Sequence, residues 1–388
     1  MSITLSDNTY VANTYARFPV ELIRGTGSLV YDSDGKEYID MGTGIAVNTF
    51  GYSDSEWVDA VTEQLSKLQH SSNLYYTEPC AKLAELLCKK TGMKKVFFSN
   101  SGAEANECAI KTARRYSFQK YGEGRSNILT LKNSFHGRTV TTLAATGQDS
   151  FHTEFGPFTE GFVYADSTDA KGLIKLATEN NCCAVMVELV QGEGGVYKLS
   201  EDFVNEVFEF CSNNDILFIV DEVQTGNGRS GSLYAYEQFG ILPDIVTTAK
   251  GLGGGLPIGA TMFNEKTENV LTAGSHGSTF GGNPVAAAGA FNIISRIDDK
   301  LLHSVQQKSQ YIVKELLSAK GVISVSGMGL MLGIETEKDK SEVINYCREK
   351  GVLVLSAKNK IRLLPALNIP QNELEKAVKI IKEAVYNG

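Results

Sequence analysis

No apolar run in this chain approaches the roughly 20 residues that a bilayer-spanning helix needs. Excess positive charge is missing too: 37 Lys and Arg face 45 Asp and Glu over 388 residues, a formal net charge of -8. That balance argues against nucleic acid or an anionic membrane as partner and leaves a small molecule as the expected ligand. The seven cysteines, Cys80, Cys88, Cys108, Cys182, Cys183, Cys211 and Cys347, include no Cys-x-x-Cys pair, and the five histidines no His-x-x-x-His pair. Reduced thiols are expected, with neither a disulfide framework nor a metal site. The stretch "MSITLSDNTYVANTYARFPV" has neither a secretory apolar core nor the Arg-rich, acid-poor bias of a transit peptide, so the cytoplasm is the expected location. Nucleotide loops are lacking as well. There is no G-x-x-x-x-G-K-[ST], and "GLGGGL" has Leu256 where G-x-G-x-x-G needs its third glycine, which argues against a dinucleotide oxidoreductase.

What remains suits a soluble globular enzyme: 42% apolar residues and a length sufficient for two or three domains. Short apolar runs alternate with helical stretches: "KKVFF" near 96, "NILTL" near 129, "CCAVMVELV" near 186, "ILFIV" near 218 and "DIVTT" near 246. Runs without strict alternation fit strands buried on both faces, and the helices between them predict an α/β fold with a mostly parallel sheet. Residues 50–295 read as this large domain. Residues 296–388 change character, since "SEVINYCREKG", "VLVL", "IRLL" and a helix with Leu374, Val378, Ile381 and Val385 on one stripe predict a small α+β domain. Residues 1–49 contain "GSLVYDSDGKEYIDM", a hairpin around Asp34 and Gly35 expected to pack beside the small domain.

In open α/β sheets, ligands sit beyond the carboxyl ends of the strands, so the segments that follow each run share one crevice. After "KKVFF" comes "SNSGAEAN", where Ser101 as N-cap and Glu104 three residues on can form a capping box and leave backbone N–H groups for a phosphate. Lys250 follows "DIVTT", and Asp221 closes the neighbouring strand 29 positions earlier. A structural ion pair would account for both residues. So would pyridoxal phosphate, which needs a Schiff-base lysine, an acid for its ring nitrogen and a phosphate cradle. A binding protein that had kept the fold and lost the chemistry would lack the lysine or the acid, and both are present.

Six blocks, "FFSNSGAEANECAIKTAR", "SFHGRT", "VQGEGG", "VDEVQTGNGRSG", "TTAKGLGGGLPIGA" and "GSTFGGNP", stand in the order of the class III aminotransferases, pyridoxal phosphate enzymes of fold type I. The resemblance runs through almost the whole chain. It implies that Lys250 holds the coenzyme and carries a proton, that Asp221 keeps the ring nitrogen protonated, and that Gln224 binds the phenolic oxygen. Phe135 would stack on one ring face and Val223 pack on the other. Ser101, Gly102 and Ala103 would cradle the phosphate, joined by Thr279 from the second subunit of a homodimer. For substrates it implies Arg138 at the carboxylate far from the reacting carbon, Arg362 at the near one, Glu193 pairing Arg362 when the near carboxylate is absent, and Ser278 in the same pocket.

Four further segments, "NTYARFPVELIRGTG", "GIAVN", "SNLYYTEP" and "IRLLPAL", resemble the branch that moves the δ-amino group of N2-acetylornithine to 2-oxoglutarate. The implied products are N-acetylglutamate 5-semialdehyde and glutamate, in arginine biosynthesis. Other ω-amino donors (succinylornithine, ornithine, 4-aminobutyrate, succinyldiaminopimelate) and a mutase or racemase on the same scaffold stay open. Two positions depart from the family pattern: "FGYSDSEW" replaces a common Gly-His-x-His-Pro, and Asn227 stands where a bulkier apolar residue is frequent. Gly44 aligns with a tyrosine of ornithine-specific enzymes, and its small size is expected to leave room for an acyl amide.

Overall fold

In a computed structural model that describes residues 2–386, the five apolar runs form strands Lys95–Ser99, Asn127–Leu131, Cys182–Val187, Leu217–Asp221 and Ile245–Thr248. Two more, Phe162–Ala165 and Gly259–Phe263, complete a seven-stranded sheet. Its order is Lys95–Ser99, Gly259–Phe263, Ile245–Thr248, Leu217–Asp221, Cys182–Val187, Asn127–Leu131 and Phe162–Ala165. All pairings are parallel except those of Gly259–Phe263, which runs antiparallel to both neighbours. Reversing that strand keeps the loop after Lys250 at the carboxyl edge, because its first residue, Gly259, lies beside the last residue of Lys95–Ser99. Only glycine fits there, since a Cβ would stand 2.3 Å from Ser101 O.

The central strands are buried along their whole length, as nonpolar runs covered on both faces should be. Helix Gly102–Tyr121 turns small residues, Ala105, Cys108, Ala109 and Ala113, onto the sheet. None of the seven cysteines is bonded to another. Burial pushes the thiols of Cys182 and Cys183 up to about 11 and about 12, which makes them small apolar side chains in practice. Among the described residues no helix is long and apolar enough to cross a membrane.

The expected hairpin is present as Leu29–Asp32 and Glu37–Asp40, with Gly35 at φ +84° and Asp32 Oδ1 accepting from Asp34 N at 3.0 Å and Lys36 N at 2.9 Å. Strand Glu37–Asp40 pairs in parallel with Val352–Leu353. Ile39 and Met41 thereby enter the core built by Leu374, Val378, Ile381 and Val385 of helix Gln371–Tyr386. A second four-stranded sheet, ordered Val322–Met328, Met331–Thr336, Lys360–Leu363 and Leu355–Ala357, lies over the same core and carries Arg362. Ala46 and Phe50 belong instead to the large core, so the N-terminal segment passes from one core to the other near residue 46.

Candidate active site

A cavity of about 480 Å³ opens at the carboxyl edge of the large sheet. Nine expected residues line it: Ser101, Gly102, Ala103, Phe135, Arg138, Asp221, Val223, Gln224 and Lys250. They arrive from four separate strand ends, which is the arrangement the parallel topology dictates.

The helix that starts at Gly102 presents its N-terminus to this cavity, with Ser101 Oγ accepting from Glu104 N at 3.2 Å. The capping box differs from expectation in its return bond: Glu104 Oε2 accepts from Asn100 N at 2.5 Å, one residue earlier than predicted. Free N–H groups and the helix dipole make this end a favourable seat for a phosphate. A Cβ on Gly102 would stand 2.6 Å from Val223 Cγ1, so the seat stays open only while the residue is glycine.

Asp221 is buried and held on both oxygens. Val223 N donates to Oδ1 at 3.0 Å, Asn106 Nδ2 donates to Oδ2 at 2.8 Å, and His136 Nδ1 lies 2.8 Å from Oδ2. Asn106 is itself fixed by Thr247 Oγ1, which donates to its Oδ1 at 2.7 Å. Desolvation pulls the His136 pKa down, but the hydrogen bond and charge of Asp221, with help from Glu188, more than offset it and leave it raised. Glu188 is buried at the cavity wall, accepting from Phe135 N at 2.8 Å and Gly192 N at 3.4 Å. Burial first, and the like charge of Asp221 second among the raising causes, push its carboxyl up to about 7. Sequence reasoning missed Asn106, His136 and Glu188. Their signal was position, since each lies within or beside a strand end or the helix start already singled out.

Lys250 sits at the cavity with its backbone at φ +47°, a left-handed conformation rare for a residue with a side chain. Desolvation lowers its amine pKa, with the Arg362 charge adding and those of Glu193, Asp221 and Glu188 opposing. A lysine in this state gives up its proton more readily, as a nucleophile must. Asn227, the departure from the family pattern, is buried just behind it. Its Nδ2 donates to Thr248 Oγ1 at 2.9 Å and to Ala249 O at 3.1 Å, tying down the residue that precedes Lys250. The other departure is structural: Tyr52 OH donates to Asp40 Oδ2 at 2.7 Å, and Asp40 caps Gly42 N and Thr43 N at 2.7 and 3.0 Å.

Arg362 is 3% exposed. Its Nη1 lies 2.5 Å from Glu193 Oε1 and 3.1 Å from Gln224 Oε1, so the expected pair is closed and Gln224 braces it. Desolvation raises the Glu193 pKa, but Arg362 outweighs it and leaves the carboxyl below its ordinary value. Arg138 is exposed at the mouth, with its guanidinium 4.5 Å from the Phe151 ring centroid and 5.9 Å from that of Phe135. Ser278 and Thr279 do not join this cavity within one chain. They line a separate depression of about 350 Å³, where Asn100 Nδ2 donates to Ser278 Oγ at 3.2 Å and Thr279 is exposed. Gly44 also faces elsewhere, into a neighbouring cavity of about 370 Å³ with Arg17, Phe18 and Leu355. It lies at φ +64° within a left-handed turn, and a Cβ there would have only ordinary contacts, the nearest being Asn48 Nδ2 at 3.6 Å.

Comparison with known proteins gives one consistent result. The family model described as aminotransferase class-III matches residues 10–385. An acetylornithine aminotransferase of Haemophilus ducreyi is 49% identical over 98% of this chain and 97% of its own length. Among solved structures, the ornithine aminotransferase of Toxoplasma gondii ME49 aligns with a TM-score of 0.94 at 30% identity, covering 98% of this chain and 94% of that one. The N-acetylornithine aminotransferase of Stenotrophomonas maltophilia K279a aligns with a TM-score of 0.84 at 34% identity, covering 98% of both chains.

Proposed function

The chain belongs to the class III aminotransferases, and from that membership we propose that it transfers the δ-amino group of N2-acetylornithine to 2-oxoglutarate, giving N-acetylglutamate 5-semialdehyde and glutamate. The reaction belongs to arginine biosynthesis, in the cytoplasm. The enzyme depends on pyridoxal phosphate, and the residues present fit that coenzyme: a glycine-gated helix N-terminus for the phosphate, a firmly held carboxylate, and a desolvated lysine, all on one cavity.

When bound, the coenzyme supplies a ring that withdraws the electron pair left on the substrate carbon. Lys250 Nζ would hold it and, when free, would take the proton from the donor's amine-bearing carbon. Asp221 would hold the proton on the ring nitrogen, and Asn106, His136 and Val223 N keep its carboxylate from turning away. Ser101, Gly102 and Ala103 would hold the phosphate, Phe135 and Val223 would flank the ring, and Gln224 would reach its phenolic oxygen, all six lining the one cavity.

Two substrates with different charge share this pocket. Glutamate brings a carboxylate at each end, one for Arg138 and one for Arg362. An ω-amine donor has no charge beside its reacting carbon and would leave a buried guanidinium unpaired, a cost that Glu193 removes. The closed Arg362–Glu193 pair at 2.5 Å carries this reading.

The active unit is a dimer in which Thr279 of one subunit reaches the phosphate seat of the other. Supporting this, Thr279 borders an apolar surface of Leu74, Tyr75, Tyr76 and Phe280, all exposed. Asn73 Nδ2 stitches the two segments together by donating to Ser278 O at 3.0 Å and Gly281 O at 2.9 Å. Exposed apolar groups gathered this way mark a contact surface. The test of function is spectral: N2-acetylornithine added to the loaded enzyme without an acceptor should convert the coenzyme fully to its amine form. An unchanged spectrum would contradict the assignment.

A further inference from the structure

Lys360 is 1% exposed, two residues before Arg362 on the same strand and therefore on the same face. A lysine there has no place in the chemistry above, and burial lowers its amine pKa against the opposing charge of Glu335. Its Nζ donates to Ser326 Oγ at 2.7 Å, and Ser326 Oγ donates to Val196 O at 2.7 Å. The same Nζ lies 3.8 Å from the Tyr197 ring centroid, a close cation–π contact.

Val196 and Tyr197 end the loop that carries Glu193. The loop is tight: Val196 N donates to Gln191 O at 2.9 Å, and Gly195 and Val196 lie at φ +114° and +57°. Positive φ is unfavourable for a β-branched residue and persists only where the surroundings impose it. Room for the constraint comes from Gly333, where a Cβ would stand 2.8 Å from Val196 Cβ and 3.2 Å from Lys360 Cδ. Gly333 is the cross-strand partner of both Arg362 and Ser326, so the strands that fix Arg362 also fix the clamp.

We propose that Lys360 is a positioning residue for donor choice: through Ser326, Val196 and Tyr197 it locks the Gln191–Val196 loop so that Glu193 meets Arg362. The clamp favours the closed pair, which serves the ω-amine donor, and contributes nothing to glutamate, which needs the pair open. This rests on the pairing role proposed for Glu193. Lys360→Met keeps the apolar stem and removes the charge and donor. Ser326→Ala cuts the link to Val196 from the other side and covers the case in which the first variant folds poorly. The two half-reactions, with N2-acetylornithine and with glutamate, are measured separately on the loaded enzyme. Amide hydrogen exchange over residues 190–198 is followed without substrate.

Both variants should lose about 5- to 10-fold in kcat/KM for N2-acetylornithine, the loss of one tethering hydrogen bond, with glutamate changed less than about 2-fold and exchange in the loop faster. Equal losses with both substrates, no loss with either, or unchanged exchange would overturn the proposal. Glu193→Gln in the same assays separates the levels. If it shows the substrate split and the Lys360 and Ser326 variants do not, the clamp alone falls. If it shows none, the pairing role falls and the clamp with it.

Discussion

Arg362 Nη1 and Glu193 Oε1 lie 2.5 Å apart at the edge of the Lys250 cavity, with Gln224 Oε1 3.1 Å from the same nitrogen. The guanidinium is nearly inaccessible while Glu193 keeps some exposure, so Glu193 is the partner free to leave. Glu193→Gln should reduce the N2-acetylornithine half-reaction by about 10- to 100-fold, because a buried cation loses its counter-charge. The glutamate half-reaction should be nearly spared. Stopped-flow traces of each half-reaction check both outcomes.

Gly102→Ala places a methyl 2.6 Å from Val223 Cγ1, and both residues line the Lys250 cavity. Overpacking of this kind costs about 1–3 kcal/mol, equivalent to about 5- to 150-fold weaker coenzyme binding. The clash is present without coenzyme as well, so the coenzyme-free protein should also unfold more easily, offset by up to about 1 kcal/mol from alanine's helix propensity. Titration of the coenzyme-free protein measures the first effect and thermal unfolding the second.

Asp221→Asn should keep the coenzyme bound yet slow proton removal by about 10²-fold or more, since an amide has no charge to hold the ring proton. The substituted amide would also meet the existing donors of Asn106 and His136, both within 2.8 Å of Oδ2. Single-turnover rates test this; an unchanged rate would reduce Asp221 to a structural role.

Glu222 is buried outside the cavity wall and its pKa is pushed up to about 7 by burial. A carboxyl raised above its unfolded value of 4.5 stabilises the fold fully below that value, and the contribution is lost as pH rises through about 7. Stability should therefore fall between pH 4.5 and about pH 7 by about 1–3 kcal/mol from this residue. His136, with a raised pKa, adds a loss of the same sign. Glu222→Gln should flatten that slope, since Tyr236 N, which donates to Oε1 at 2.9 Å, still finds the amide oxygen. Unfolding midpoints across the pH range decide it.

The central strands were legible because burial on both faces leaves an unbroken apolar signature, as in Cys182–Val187. Phe162–Ala165 escaped because it is a short, half-buried edge strand, and Gly259–Phe263 because its glycine, alanine and threonine resemble loop composition. The hairpin Val322–Met328 and Met331–Thr336 escaped because Gly327, Gly329 and Gly333 interrupt its apolar pattern where close approaches demand glycine. Lys250 and Asp221 were legible from their place after strands. Lys360 was not: a Lys-Ile-Arg-Leu alternation reads as one wet face and one dry face, whereas all four residues are buried. Only the three-dimensional neighbours, Ser326 and Tyr197, explain why a lysine stands inside.

The most direct test of the donor assignment is kcat/KM for N2-acetylornithine against ornithine, with 2-oxoglutarate as acceptor. Arg138 puts a cation at the mouth of the Lys250 cavity, where a free α-ammonium meets like charge and an acyl amide does not, so ornithine should be the poorer donor by about 5- to 150-fold. Ornithine equal to or better than N2-acetylornithine would contradict the donor assignment, leaving the aminotransferase chemistry of Lys250 and Asp221 intact.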